Sequence, residues 1–333
     1  MQKLLHTPEG VRDIYNEECE KKLVLEKNLR QVLNSYGYRD IETPTFEFFD
    51  VFGSQMGTTP SRELYKFFDR EGNTLVLRPD FTPSIARAAS KYFMDEERPI
   101  RLCYLGNTFV NNSSYQGHLK ETTQLGAELI GDGTAEADAE IIALVIATLL
   151  RAGLREFQIS VGHADFFRAL AEEAGLDEET GTQLRELIEN KNTFGVEKLL
   201  GEKEMPKEWK RLFMELPGLF GGREVLEQAL AMTKGGHASW AVERLLEVWE
   251  LLQIYEMERY VSFDLGLSGT YRYYTGVVFR GYTYGIGDAV VKGGRYDTLL
   301  SHFGKETPAI GFVAVMDQLM NALSRQKIDI LSE

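Results

Sequence analysis

Apolar positions recur with helical spacing along residues 16–35 and just beyond. Leu25, Leu29, Val32, Leu33 and Tyr36 are 4, 3, 1 and 3 apart and share one face. Gly37 is a natural stop for that helix. Residues 38–41 then read as a strand, broken by Pro44. From Leu64 short apolar runs alternate with turns. Residues 65–68 and 75–77 flank Arg70-Glu71-Gly72-Asn73, a hairpin signal, and Pro79 closes the second run. A helix is predicted over 83–93, and strands over 100–110 and 119–130 with the polar loop 111–117 between them. Residues 135–151 are apolar on most faces, through Ile141, Ile142, Leu144, Val145, Ile146, Leu149 and Leu150, which predicts a buried helix. Residues 157–161 read as a strand.

The pattern changes between residues 165 and 256, where charged residues alternate with leucines and strand signals vanish. Trp240, Leu245, Trp249 and Leu252 read as a core-facing helical stripe. We read this stretch as a helical insertion with a linker at 202–206. Strand signals resume at 260–265, 275–279 and 288–291, and a last helix is predicted over 315–324. Gly285-Ile286-Gly287 and Gly293-Gly294 read as turns flanking a strand. Hairpin-linked strands bracketed by helices predict an α+β fold, an antiparallel sheet with flanking helices. The core is expected in two parts, 1–164 and 257–333, around the insertion 165–256. No GxGxxG turn follows a strand and no GxxxxGK[ST] occurs, which argues against the common nucleotide-binding loops.

Composition narrows the function classes. Of 333 residues, 51 are Asp or Glu and 37 are Lys or Arg, a net charge of −14. That excess argues against an extended nucleic-acid groove, because phosphate binding is driven by Lys and Arg. At 43% hydrophobic, the chain sustains an ordinary buried core. Cys19 and Cys103 make no disulfide framework, and no CxxC or HxxxH spacing offers a metal site. No metal and no cofactor are expected. The start of the chain lacks a signal-like apolar run and no stretch of 18 apolar residues occurs, so the expected location is the cytoplasm, away from any membrane. Asn111-Asn112-Ser113 and Asn112-Ser113-Ser114 are chance matches to a glycosylation triplet. His163 reads as a turn or cap contact; His6, His237 and His302 stand alone, and Asp95-Glu96-Glu97 is a solvated charge run.

Five segments, in order, resemble class II aminoacyl-tRNA synthetases. Tyr36 to Pro44 (YGYRDIETP) is similar to their first signature, and Leu77-Arg78-Pro79-Asp80-Phe81-Thr82 to the substrate-binding strand of histidyl-tRNA synthetases. The run from Gly117 to Glu128 resembles the return strand of the second signature. Tyr273-Tyr274-Thr275-Gly276 resembles a histidine-specific motif. Gly293-Gly294-Arg295-Tyr296-Asp297, with Thr307 to Phe312, resembles the third signature. The resemblance spans residues 7–325 and implies a synthetase-like catalytic core.

The departures carry the functional information. The resemblance places arginines that hold ATP in histidyl-tRNA synthetases at the positions of Val110 and Gln318 here, and one that acts on the carboxylate–phosphate chemistry at the position of Gly269. Adenylation builds negative charge on phosphorus, which Arg or Mg²⁺ clamps stabilise. The sixteen residues from Tyr104 to Leu119 hold no Lys or Arg, and His118 is their single candidate cation. Losing one clamp costs about 3 kcal/mol of transition-state stabilisation, so losing three implies negligible activity. The alternative is that Arg272 or Arg280 has moved into place.

The residues that resemble the family's histidine contacts remain: Asp80, Thr82, Gln124, Glu128, Tyr273 and Tyr274. Gln124 and Glu128 are four apart on one predicted strand and share a face. Carboxylates suit an ammonium or imidazolium, and Gln and Tyr suit ring hydrogen bonds. The opposing reading makes these inherited fold contacts with no ligand.

A synthetase-like core without ATP clamps resembles the regulatory subunits of ATP phosphoribosyltransferase, non-catalytic paralogues of histidyl-tRNA synthetase. Synthetases continue into an anticodon-binding domain, whereas this sequence stops soon after the third signature, so no tRNA partner is expected. The resemblance implies a homodimer, with contacts around residues 36–50, that joins short-form catalytic subunits in a hetero-octamer. It implies a role in the first step of histidine biosynthesis, activating the catalytic chain and mediating feedback inhibition by histidine. Histidine would bind either the old synthetase pocket or the subunit contact. A working histidyl-tRNA synthetase and a stand-alone histidine-binding module remain as other readings.

Overall fold

The computed structural model describes residues 5–53, 59–112, 119–233, 235–269 and 273–330. Helix α1 (Asn16–Ser35) buries Leu25, Leu29 and Leu33, as its spacing predicts. It stops at Gly37, whose φ of +84° lets the N–H groups of Gly37 and Tyr38 return to the carbonyls of Asn34 and Leu33. Strand β1 (Arg39–Asp40) follows. Strands β2 (Phe46–Phe48), β3 (Lys66–Phe68) and β4 (Thr74–Leu77) form a small antiparallel sheet in the order β2-β4-β3. The predicted 65–68/75–77 hairpin is its β3–β4 pair, with Phe67 opposite Leu75.

Helix α2 (Thr82–Tyr92), strands β5 (Ile100–Phe109) and β6 (Glu121–Ile130), helix α3 (Ala135–Arg151) and strand β7 (Phe157–His163) come next. Then follow α4 (Ala164–Glu173), α5 (Glu178–Glu189), α6 (Thr193–Gly201), α7 (Lys207–Glu215), β8 (Phe220–Gly221), α8 (Arg223–Thr233) and α9 (His237–Ile254). Strands β9 (Val261–Asp264), β10 (Val277–Thr283), β11 (Val291–Arg295) and β12 (Ala309–Val315) lead to α10 (Met316–Arg325).

The large sheet runs β1-β5-β6-β12-β11-β10-β7-β9-β8. Its middle is antiparallel, as expected for this α+β class. Near each edge, however, β1/β5 and β7/β9 pair in parallel. Parallel neighbours require a crossover, and the helices α4 to α9 supply the one between β7 and β9. The sheet separates two cores. Leu125, Ala127 and Leu129 of β6 point to the side of α1 and α3 and join the main apolar cluster. Leu102, Tyr104 and Ile130 face the side of α2, with Phe81, Ile85 and Ala89. Phe166, Leu184, Phe213, Leu226 and Leu245 of the helical stretch belong to the main cluster.

Three readings of the sequence are corrected. The 165–256 stretch is not wholly helical: Phe220–Gly221 pairs with β9 at the sheet edge. Trp240 is 64% exposed and packs edge-on against His237, whereas Leu245 and Leu252 are fully buried. The reason is angular, because five residues from Trp240 to Leu245 sweep about 140° past a full turn. Gly293-Gly294 is not a turn but the middle of β11, and the strand starts at Val291 rather than covering 288–291. A Cβ on Gly294 would lie 2.7 Å from the Tyr274 ring, and one on Gly293 2.5 Å from the Gly311 carbonyl oxygen. Close packing, not a bend, requires these glycines.

Beside the main core lies a buried ion-pair cluster. Asp138 of α3 accepts hydrogen bonds from Nε of Arg295 at 2.8 Å and from Nε of Arg244 at 2.7 Å. Arg295 also donates to the Asp132 carbonyl at 3.0 Å. The outer face of the small sheet is apolar: Phe46, Phe48 and Phe67 share it with Leu75 and Leu77 by register. Phe46 and Phe48 are 52% and 56% exposed.

Removing one member of a buried ion pair leaves uncompensated charge. Asp138→Ala is expected to lower unfolding stability by about 3–5 kcal/mol, read from urea denaturation followed by circular dichroism.

Candidate functional site

Register decides which side chains meet. On β6, Gln124, Gly126 and Glu128 lie opposite Val315, Val313 and Gly311 of β12. Val313 in turn lies opposite Lys292 of β11, and Gly311 opposite Gly294. All therefore face the side of α2, where the chain encloses a cavity of about 160 Å³. Asp80, Thr82, Gln124, Glu128, Tyr273 and Tyr274, the six residues singled out from the sequence, all line it.

Glu128 sits at the floor, 1% exposed. Thr82 Oγ1, at the start of α2, donates to its Oε1 at 2.9 Å, and the Tyr296 hydroxyl donates to its Oε2. Gly311 opposite leaves room for the carboxyl, which a Cβ there would strike. Burial pushes the Glu128 pKa up to about 8, although both hydrogen bonds oppose the shift. Burial thus favours the protonated form of this carboxyl. Asp80 accepts from the Thr82 backbone N–H at 3.2 Å. The Gln124 Oε1 is buried and accepts no hydrogen bond among the described residues. Tyr273 packs edge-on against Tyr274 and Tyr296, with ring centroids 5.1 and 5.8 Å apart.

The three positions without arginine lie differently. Val110 lines the cavity. Gly269 has φ +85°, and a Cβ on it would come within 2.8 Å of the Tyr274 ring. Gln318, in the first turn of α10, is outside the lining. Arg280 does not line the cavity, and its guanidinium pairs with Glu189 of α5 at 2.6 Å. Arg78, beside Asp80, is spent on the carbonyls of Asn107 and Thr43, both at 2.8 Å. Residues 113–118, with His118, and Arg272 lie outside the described residues.

One lining residue was missed from the sequence. Lys292 is the cation of the cavity wall among the described residues, and no hydrogen bond or ion pair holds its ammonium there. Burial, and then the neighbouring Arg280, lower its pKa. Reading Gly293-Gly294 as a turn hid it; alternation through β11 would have put Lys292 and Gly294 on one face. His163 caps α4, its Nδ1 accepting from the Asp165 N–H at 3.2 Å. Burial and nearby arginines hold it neutral, with a pKa of about 3. Among the described residues no cluster of three or more His, Cys, Asp or Glu is placed to hold a metal, and no helix is long and apolar enough to cross a membrane.

This mostly antiparallel sheet, with residues of the second and third signatures, of the 77–82 segment and of the Tyr273-Tyr274 motif gathered at one cavity, defines a class II synthetase-like core. A family model described as histidyl-tRNA synthetase matches residues 10–319. An ATP phosphoribosyltransferase regulatory subunit of Acetivibrio thermocellus is 42% identical over 98% of this chain and 78% of its own length. One from Ruminiclostridium cellulolyticum is 43% identical over 96% and 77%. A solved ATP phosphoribosyltransferase regulatory subunit/histidyl-tRNA synthetase from Bacillus halodurans superposes with a TM-score of 0.90 at 38% identity, covering 96% of this chain and 83% of that one. The chain belongs to the histidyl-tRNA synthetase family and, within it, to the ATP phosphoribosyltransferase regulatory subunits.

The folded chain keeps the Glu128 proton up to about pH 8, whereas an unfolded glutamate releases it near 4.5. The folded state thus binds more protons across that window, and this contribution to stability is lost as pH rises through it. Glu128→Gln cannot titrate, so its urea midpoint is expected to decline less between about pH 5 and about pH 8.5 than that of the unaltered chain.

Proposed function

We propose that this chain is a non-catalytic regulatory subunit that binds histidine in its cavity and controls a catalytic ATP phosphoribosyltransferase chain. The observation that carries this is a synthetase-like site kept intact on its amino-acid side and stripped on its nucleotide side. The amino-acid side retains Asp80, Thr82, Gln124, Tyr273 and Tyr274 around Glu128, whose burial favours the protonated form. The buried Gln124 Oε1 asks for a donor, which an imidazole N–H or an ammonium supplies. On the nucleotide side stand Val110 and Gly269, neither able to hold a phosphate charge. The family supports the rest: relatives at about 40% identity are named as regulatory subunits.

In this reading the chain works in the cytoplasm, uses no cofactor and acts through a coupling free energy. Histidine shifts the catalytic partner toward its inhibited form, and couplings of this kind are about 1–3 kcal/mol. The complex is a hetero-octamer on a homodimeric core. The bare face of Phe46, Phe48 and Phe67 suits the homodimer, since exposed apolar patches mark protein contacts.

Added to a separately purified short-form catalytic chain, this protein is expected to raise phosphoribosyl transfer at least ten-fold. Histidine should reverse the gain, and the protein alone should give no histidine-dependent exchange between ATP and pyrophosphate. Exchange above background would restore the synthetase reading. In calorimetric titration L-histidine should bind, and Glu128→Ala should weaken it at least ten-fold. For the dimer, Phe48→Glu is expected to halve the mass measured by light scattering.

A further inference from the structure

The strongest unassigned feature is Lys292, an ammonium on the cavity wall without an ion-pair partner among the described residues. We infer that Lys292 is the carboxylate receptor of the cavity, so that the site selects a free amino acid over its amide or ester. This deepens the histidine reading above and rests on it.

The argument is one of charge and place. β11 puts Lys292 on the same sheet face as Gln124 and Glu128, across β12. Gly294 and Gly311 carry no side chain between them, which leaves room there for the Tyr274 ring and the Glu128 carboxyl, while Val313 stands opposite Lys292 on β12. The second cation of that face, Arg280, lies opposite Lys292 on β10 but is held by Glu189. Burial and the nearby Arg280 both disfavour the Lys292 ammonium, opposed by Asp288, and an anion beside it would add a further favourable charge. Asp80 also lines the cavity and supplies a carboxylate for an ammonium group, while burial favours the protonated form of Glu128. One ammonium and one carboxylate lining about 160 Å³ match a zwitterion. A triphosphate, with several negative charges, does not fit this balance. Gly269, where the resembling synthetases carry arginine, is blocked against a side chain by Tyr274, so the positive group comes instead from a neighbouring strand.

The experiment compares L-histidine with L-histidinamide by calorimetry on the full chain, on Lys292→Met and on Lys292→Arg. The unaltered chain is expected to bind the acid at least ten-fold more tightly than the amide. Lys292→Met should bring the acid down to the amide's affinity and leave the amide unchanged, while Lys292→Arg keeps a preference for the acid. Equal binding of acid and amide by the unaltered chain would overturn the assignment and leave the histidine reading standing. Binding of neither compound would overturn both. A measurement without substitution guards against a variant that fails to fold. Acylation of Lys292 by acetic anhydride, followed by peptide mass spectrometry, should slow at least five-fold with L-histidine and not with the amide; equal slowing counts against the assignment.

Discussion

A carboxyl group shut away from water must find donors or keep its proton, and Glu128 does both. Its two oxygens tie the start of α2, through Thr82, and the end of β11, through Tyr296, to the middle of β6. These partners are 46 and 168 residues away in sequence. The cavity therefore exists only when the whole sheet is assembled, and its floor is as rigid as the strands that carry it. Gly311 on the adjoining strand is part of the same constraint, because any larger residue would displace the carboxyl.

Positive charge has been kept where the fold needs it. Arg78 holds loop carbonyls together under the Phe81 ring, with its guanidinium 4.1 Å from the ring centre. Arg295, from the third signature, and Arg244 share Asp138 of α3 beside the main core. Arg280 anchors α5 to the sheet through Glu189. Each guanidinium is engaged by protein atoms in a fixed geometry, which is why their number says little about nucleotide chemistry. What matters is that the described lining of the cavity contains none of them.

The helices were legible in the sequence because their signal is local. α1 and α3 follow directly from 3.6-residue spacing, and the β3–β4 hairpin from its turn residues. The motif order likewise brought six cavity residues to one place. The failures share a cause, namely that the deciding neighbour is remote. Gly293 and Gly294 look like punctuation until Phe279, Tyr274 and Gly311 are seen pressing on them. The parallel edge pairs depend on a crossover through α4 to α9 that no short window contains. Lys292 was overlooked for the same reason, whereas the exposure of Trp240 follows from helical angle and was legible locally.

Gly269 is a position that resists any side chain. Its backbone is in the left-handed region and its missing Cβ is the space that Tyr274 now fills. An arginine at this position would meet a strained main chain and an occupied volume at once, so installing one demands several coordinated replacements rather than a single codon change.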